Sequence, residues 1–338
     1  MNCLRIGIVF LVLLTTAIGL SAQESSLQMS VNSSLFPLEA IVKDSSGRPV
    51  LDLKQDDFEI YEDGVLQQTR YFALAEVPRS TMLIFDRSGS AEKQDPFMLQ
   101  SINGFMATMR SSDRVGVFSF ATELEVRLKW QSIVKEKQPK VSMPPPQPWS
   151  GVYAAIDRAG KRFDKEVGRK AIIMLTDGND SEFYNDTRRL GGAQEIAKDS
   201  NFQGYLKKFR NQKIPVYFVA LEADPRAEYA ALQSSEYRLS RDYLLSGMRS
   251  PTIAEDFLKG ARLRIMQVAE VTGGRVVVPT RLEDVASFFE RIARDLDESY
   301  SLGYMPANAV AGGKYRRIEV RVRRPGLVVT QTRDGFQP

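Results

Sequence analysis

TMLIFDRSGS, residues 81–90, is an apolar run that ends in one carboxylate and two hydroxyls. Residues 82–85 are apolar in succession, which is typical of a strand buried on both faces of a sheet. Asp86, Ser88 and Ser90 follow as D-x-S-x-S and offer hard oxygen ligands at one point, which suits Mg2+ or another hard divalent ion. The same residue types form ordinary turns after strands, so the motif alone leaves a turn and a metal site both open.

Outward from this strand, apolar segments alternate with segments whose apolar residues recur at helical spacing. Strands are predicted at residues 82–86, 114–121, 170–176, 214–221 and 274–279, and helices at residues 96–110, 151–163, 201–210, 252–271 and 282–297. This alternation predicts an α/β fold with a doubly wound, mainly parallel sheet. Residues 125–130 alternate between apolar and polar instead, and predict an exposed edge strand in a hairpin.

Both ends of the chain have β character. Residues 28–75 contain short strand-like segments between turns, and residues 300–336 contain the strictly alternating segment 317–323. Neither block is large enough to bury much apolar surface by itself, although each has one apolar face. We therefore predict that the two blocks pair into one small β-sandwich, into which the α/β part is inserted. The predicted limits are 28–78 for the N-terminal β segment, 79–298 for the α/β domain and 299–338 for the C-terminal β segment.

Residues 1–22 are predicted to be a secretory signal peptide. Arg5 supplies positive charge, residues 6–20 are apolar, and Leu20-Ser21-Ala22 fits a cleavage site. The alternative is an uncleaved membrane anchor, because the apolar stretch is only somewhat short for a span. The polar residues that follow favour cleavage, so we expect a secreted or periplasmic protein without a stable membrane span after processing.

Two residue types that dominate catalysis and metal binding are nearly absent. The 338-residue chain has no histidine, and its one cysteine, Cys3, lies in the predicted signal segment. These counts exclude Ser-His-Asp and Cys-His nucleophilic machinery, histidine-type zinc sites, and disulfides within the processed chain. Catalysis would have to depend on carboxylates, lysine, tyrosine or a metal, and we expect that the protein is not an enzyme.

The charge of the chain does not single out a polyanionic partner. The formal net charge of +4 is small for this length. The one dense basic run, residues 314–324, alternates with apolar residues, and we interpret it as the solvated face of a strand. We therefore expect no nucleic-acid partner.

A second carboxylate follows another apolar strand. Residues 171–175 are apolar and are followed by Thr176-Asp177-Gly178. In a parallel α/β sheet, ligands bind beyond the carboxyl ends of the strands, at the point where the strand order reverses. If the two strands are neighbours, Asp86 and Asp177 converge at that point.

This combination resembles the von Willebrand factor type A fold with its metal-ion-dependent adhesion site. The family pattern is D-x-S-x-S after the first strand, a threonine in a later loop, and an aspartate in a T-D-G-like turn. Asp86, Ser88, Ser90 and Asp177 match this pattern, whereas Ser150 stands where the family often has threonine. The resemblance implies that these five residues bind Mg2+, or Mn2+ or Ca2+. It also implies that a protein or peptide ligand completes the metal shell with a carboxylate.

The flanking segments narrow the resemblance. Residues 50–53, 57–64, 300–304 and 313–318 look like those of the exported von Willebrand type A-related proteins of Acidobacteria. The function this implies is an exported binding or adhesion module. Two alternatives stay open: a structural or accessory envelope protein with a degenerate metal site, and a metal-dependent hydrolase, which the lack of histidine disfavours.

Other polar residues flank the motif. The proline-rich loop 143–148 is expected to shape the rim of the site. We interpret four nearby acids as solvated residues of loops and helix starts, namely Asp180, Glu182, Asp95 and Glu92.

Overall fold

The computed structural model describes residues 35–74, 78–88, 95–132, 140–147, 149–183, 199–221, 251–306, 314–331 and 333–336. The described residues all belong to one compact unit. The predicted signal segment 1–22, Ser90 and Glu92 lie outside them, so the predictions for these residues stay predictions. None of the described helices is both long and apolar enough to cross a bilayer.

Strands occupy both ends of the chain, and strands alternate with helices in the middle. In chain order the elements are β1 (Phe36–Lys43), β2 (Phe58–Glu62), β3 (Val65–Gln67), β4 (Thr69–Ala73), β5 (Arg79–Asp86), α1 (Asp95–Ala107), β6 (Arg114–Phe120), β7 (Leu124–Ser132), α2 (Val152–Lys161), β8 (Arg169–Thr176), α3 (Ser200–Gln212), β9 (Val216–Ala220), α4 (Pro251–Thr272), β10 (Val276–Val277), α5 (Val285–Asp297), β11 (Ser299–Tyr304), β12 (Arg316–Val322), β13 (Val328–Gln331) and β14 (Gly335–Phe336).

The central sheet has six strands in the order β10-β9-β8-β5-β6-β7. All neighbours are parallel except β7, which runs antiparallel to β6 at the edge, as the hairpin pattern predicted. After β5 the chain forms β6 and β7 on one side of β5, and it later forms β8, β9 and β10 on the other side. The strand order therefore reverses between β5 and β8. The predicted doubly wound, mainly parallel α/β sheet is confirmed, and its switch point lies at the ends of these two strands.

Helices cover both faces of this sheet. The apolar residues of α2, α3 and α4 pack on one face, and those of α1 and α5 pack on the other. Because the central strand β5 is covered on both sides, all eight of its residues are buried. α3 begins at the N-cap Asp199, whose side chain accepts hydrogen bonds from the backbone N–H groups of Asn201 and Phe202.

The strands from the two chain ends combine into two four-stranded sheets, ordered β13-β1-β11-β4 and β14-β12-β2-β3. β1 pairs with β11 from Phe36 opposite Tyr304 to Ile41 opposite Ser299, and β12 pairs with β2. Apolar residues of both sheets share one buried cluster. The pairing of the N- and C-terminal blocks is thus observed, whereas the predicted limits of separate domains stay a prediction.

The structure differs from the predicted elements mainly at their ends. The strand predicted at residues 274–279 is only Val276–Val277, and the helix predicted at residues 96–110 ends at Ala107. The basic run lies on β12, where apolar and polar side chains alternate in burial as predicted. Acids of β2 offset part of its charge, since Arg316 pairs with Glu62 and Arg323 pairs with Glu59.

Candidate functional site

Three loops meet at the switch point of the central sheet. The first follows β5, the second precedes α2, and the third follows β8. The strands β5 and β8 are paired in register, with Phe85 opposite Leu175, so Asp86 and Thr176 end the two strands side by side. The adjacency that the sequence prediction required for Asp86 and Asp177 is therefore present.

Asp86 is the centre of the hydrogen bonds at this point. Its side chain is buried at 3% exposure. Its Oδ1 atom accepts from the backbone N–H of Ser88 at 2.8 Å, and its Oδ2 atom accepts from the hydroxyl of Thr176 at 2.6 Å. The hydroxyl of Ser150 lies 3.5 Å from the same Oδ2 atom. Burial raises the pKa of Asp86, and the hydrogen bonds from Thr176, Ser88 and Ser150 oppose this rise.

Arg87 anchors the loop that carries Ser88. Its guanidinium is buried, donates from Nε to the carbonyl of Pro144 at 2.8 Å, and pairs with Asp95 at the start of α1. The backbone N–H of Gln147 donates to the carbonyl of Arg87 at 2.8 Å, and Gln147 forms an isolated parallel bridge with Ser88. The described residues of the proline-rich loop thus contact the segment that follows β5, whereas its role in shaping the rim of a metal site stays a prediction.

Ser150 is held in place by the loop after β8. Its backbone N–H donates to the hydroxyl of Ser181 at 2.9 Å, and its carbonyl accepts from the N–H of Ser181 at 2.8 Å. Gly151 continues the connection by donating from its N–H to the carbonyl of Ala121 at 2.8 Å. Because both ends of this turn are bonded, the Ser150 hydroxyl faces Asp86 from a fixed backbone.

Asp177 lies one residue beyond Thr176 and is bound by Asn179. The backbone N–H and the side-chain amide of Asn179 donate to its two carboxylate oxygens at 2.9 Å and 3.0 Å. The Oδ1 atom of Asn179 is buried, and no described residue donates a hydrogen bond to it. The sequence prediction missed Asn179 and the role of Thr176. The signal for both was available in the polar run Thr176-Asp177-Gly178-Asn179.

Asp180 does not match its prediction as a solvated acid. It is 1% exposed and accepts from the backbone N–H of Tyr153 at 3.1 Å and of Glu182 at 2.9 Å. Burial raises its pKa to about 6. The interpretation was wrong because Asp180 fastens the start of α2 to the loop after β8. Glu182 is exposed, as predicted, and accepts from the hydroxyl of Tyr205 at 3.1 Å.

The side chains that meet here offer only oxygen donors. The described residues contain no cluster of three or more acids that by itself would suit a metal, so a cation would depend on the serine hydroxyls as well. A hard divalent cation accepts such a mixed set of carboxylate, hydroxyl and amide oxygens. The unpartnered Oδ1 atom of Asn179 adds one more oxygen of this kind, directly or through water. The donor set therefore fits Mg2+ or a similar ion.

Several solved structures are similar to this chain. The von Willebrand factor type A protein from Catenulispora acidiphila has 9% identity and a TM-score of 0.44 over 89% of this chain and 73% of that chain. The ArnB paralog VWA2 from Sulfolobus acidocaldarius has 10% identity and a TM-score of 0.41 over 89% and 76%. An aerotolerance-related membrane protein from Bacteroides fragilis has 18% identity and a TM-score of 0.34 over 64% and 98%.

The first two of these are von Willebrand factor type A proteins, the class whose motifs the sequence resembles. At these identities, and with TM-scores below 0.5, the ligands and activities of those proteins are not transferred to this chain. No protein-family model matches the sequence, and no curated protein matches it.

Proposed function

We propose that this protein is an exported binding module that recognises a carboxylate of a protein or peptide through a divalent metal. The residues that would hold the metal are Asp86, Ser88, Ser90, Ser150 and Asp177. Mg2+ is the proposed ion, with Mn2+ or Ca2+ as alternatives.

The observation that supports this proposal most strongly is the meeting of three loops around the buried Asp86. The Oδ2 atom of this carboxylate accepts from the Thr176 hydroxyl, and the Ser150 hydroxyl lies 3.5 Å from the same atom. A buried carboxylate without a cationic partner is costly, and a bound cation would offset that cost. When bound, the cation would supply positive charge and a coordination position for an incoming acidic group.

The role of this chain's own residues is to present that position in a fixed geometry. Arg87 ties the Ser88 loop to Pro144, and Ser181 ties the Ser150 turn to the loop after β8. Each of these contacts holds a loop in place, which reduces the conformational entropy that the loop would otherwise lose when a ligand binds. This arrangement supports binding more than catalysis, since the chain has no histidine base.

Calorimetric titration with Mg2+, Mn2+ and Ca2+ tests the metal site. We expect binding by the wild-type chain, loss of binding in Asp86→Ala, and weakening in Ser88→Ala, which retains the buried carboxylate. The exposed Asp164 provides a matched control, because Asp164→Ala removes an acid that is remote from the site. Unchanged metal binding in a folded Asp86→Ala protein would contradict the proposal.

The ligand class is tested by a pull-down from the cell envelope with the whole chain as bait. We expect partners that are retained with Mg2+ and released by a chelator, and that are absent when Asp86→Ala is the bait. A parallel panel of ester and phosphate substrates addresses the hydrolase alternative. Metal-dependent turnover that Ser88→Ala abolishes would replace the binding proposal with an enzymatic one.

A further inference from the structure

A cavity of about 650 Å³ lies between the central α/β part and the terminal sheets. Helices α3 and α4 form one side, and the first residues of β1 together with β14 form the other. It lies near the start of β9, where the Thr272 hydroxyl accepts from the N–H of Val216 at 3.1 Å. Since Asp86 lies at the opposite, carboxyl ends of the parallel strands, the cavity is separate from the candidate metal site.

Arg333 is a buried cation in the wall of this cavity. It is 8% exposed, and its Nη2 atom donates to the carbonyl of Thr272 at 3.2 Å. Its guanidinium lies 5.6 Å from the ring centre of Phe36, which also lines the cavity. No carboxylate of the described residues lies within ion-pair distance of Arg333. Burial lowers its pKa to about 10, and the charge of Glu39 opposes this shift only in part.

Two further cations line the same cavity. Lys213 follows the C-terminus of α3, and Arg210 lies on its last turn. Within the described chain, neither side chain forms an ion pair. Burial lowers the pKa of Lys213, and the nearby charge of Arg333 lowers it further. Two cations that repel each other beside a cavity produce a positive potential that an anion would relieve.

The remaining lining defines the size and charge of a ligand. Three basic residues face two acidic ones, Glu270 and Asp334, and the Asp334 carboxylate already accepts from the hydroxyl of Tyr315 at 2.8 Å. One excess positive charge favours a monoanion over a dianion such as phosphate. The apolar part of the walls is formed by Leu35, Phe36, Leu206, Val271 and Phe336, and the amides of Gln203, Asn211 and Gln267 also line the cavity. The volume is that of a small-molecule site.

We propose that this cavity binds a small monocarboxylate with an aromatic or aliphatic body. The carboxylate would contact Arg333 and Lys213, and the body would lie against Phe36 and Phe336, whose ring centres are 4.4 Å apart. Arginine keeps its charge even when it is buried, so its desolvation is a standing cost in the free protein. A bound carboxylate offsets this cost with charge-assisted hydrogen bonds.

Two of the probes, 4-phenylbutyrate and 4-phenylbutylamine, share an apolar body and differ in charge. The whole chain is titrated with 4-phenylbutyrate and octanoate by isothermal calorimetry. EDTA in the buffer removes any contribution from a metal at Asp86. We expect at least one carboxylate to bind, and 4-phenylbutylamine and inorganic phosphate to bind at least about tenfold more weakly. Binding of the amine or phosphate as tight as that of the carboxylates, or no carboxylate binding up to about 10 mM, would overturn the proposal.

Variants assign the binding to the cavity. Arg333→Gln and Lys213→Gln are each expected to weaken carboxylate binding by about tenfold or more. The second variant changes an exposed side chain, so it remains informative if the first does not fold. Lys207→Gln removes an exposed charge from α3, outside the lining, and should bind as the wild type does. Wild-type affinity in a folded Arg333→Gln or Lys213→Gln protein would refute the assignment.

Discussion

Buried polar side chains fix the ends of the central strands, and each contact involves particular atoms. Thr176 is the clearest case, because its hydroxyl donates to Asp86 at 2.6 Å and accepts from the backbone N–H of Gly178 at 3.0 Å. Asp113 has a similar role at the opposite edge, where it accepts from the backbone N–H groups of Arg79 and Arg110. Such residues stabilise the fold because they form hydrogen bonds with buried polar groups that water would otherwise satisfy.

Thr176→Val is expected to destabilise the metal-free protein by about 1–3 kcal/mol. Valine has nearly the same shape, but it leaves the Asp86 carboxylate and the Gly178 N–H each with one hydrogen bond fewer in a buried place. Urea denaturation measures the change. Thr122→Val is the control, since Thr122 is exposed and its hydroxyl makes no hydrogen bond with a described residue. Equal stabilities of the two variants would show that the Thr176 hydroxyl contributes nothing.

Asp113→Ala is expected to cost about 3–5 kcal/mol of unfolding free energy. Asp113 is fully buried, and its Oδ2 atom lies 3.2 Å from Nε of Arg79, which is itself 3% exposed. Among the described residues, the substitution leaves the buried Arg79 guanidinium with Asp297 as its one ionic partner. Thermal and urea unfolding should agree in direction. A loss no larger than that of the exposed Asp164→Ala would contradict this account.

At the scale of elements, close backbone approaches decide where strands begin. Gly168 directly precedes β8 and has φ of +78°, and a Cβ atom there would lie 1.9 Å from the carbonyl oxygen of Pro78. That same carbonyl accepts from the N–H of Arg169 at 3.0 Å. This hydrogen bond connects the start of β8 to the segment that leads into β5. It aligns the two strands, so that their carboxyl ends lie side by side.

Gly168→Ala is expected to lower the unfolding free energy by about 2 kcal/mol or more, because the added methyl collides with backbone at a positive φ. Gly204→Ala should have the opposite sign, a gain of roughly 0.5–1 kcal/mol. Gly204 lies inside α3, and a Cβ atom there meets nothing within 4 Å. Denaturation curves of the two variants provide the comparison. A neutral Gly168→Ala would contradict the steric argument.

At the scale of the whole molecule, one polar cluster connects the terminal sheets to the central sheet. Arg169 on β8 donates to Glu39 on β1 and, from Nη1, to the carbonyl of Leu296 at 2.8 Å. Glu39 also accepts from the hydroxyls of Ser299 at 2.9 Å and Ser301 at 3.1 Å. β1 precedes the α/β part in the sequence and β11 follows it. Their pairing therefore brings the two ends of the α/β part together.

Glu39→Ala is expected to destabilise the whole chain by about 2–4 kcal/mol, because Arg169 is 11% exposed and loses its carboxylate partner. Both tryptophans, Trp130 and Trp149, lie in the α/β part, so their fluorescence reports its unfolding. Hydrogen exchange of β1 reports the terminal sheets. We expect the two signals to shift together. A shift confined to β1 would mean that the sheets unfold independently.

The order of elements was predictable because hydrophobic periodicity is a local property of the chain. The buried strands β5, β6, β8 and β9 and their helices appear where the pattern placed them, and so does the pairing of the terminal blocks. Asp86 at a strand end followed from the same pattern. The ends of short elements such as β10 did not, since tertiary contacts determine where pairing stops.

The sequence alone was sufficient for the fold class, because the burial pattern is written along the chain, whereas the metal-binding residues that it indicates stay a prediction. Only the packed structure revealed that Thr176 binds Asp86, that Asp180 is buried, and that Arg333 faces a cavity. These facts depend on contacts between residues far apart in the sequence. No periodicity encodes such a contact, because it arises only when helices and sheets pack against one another.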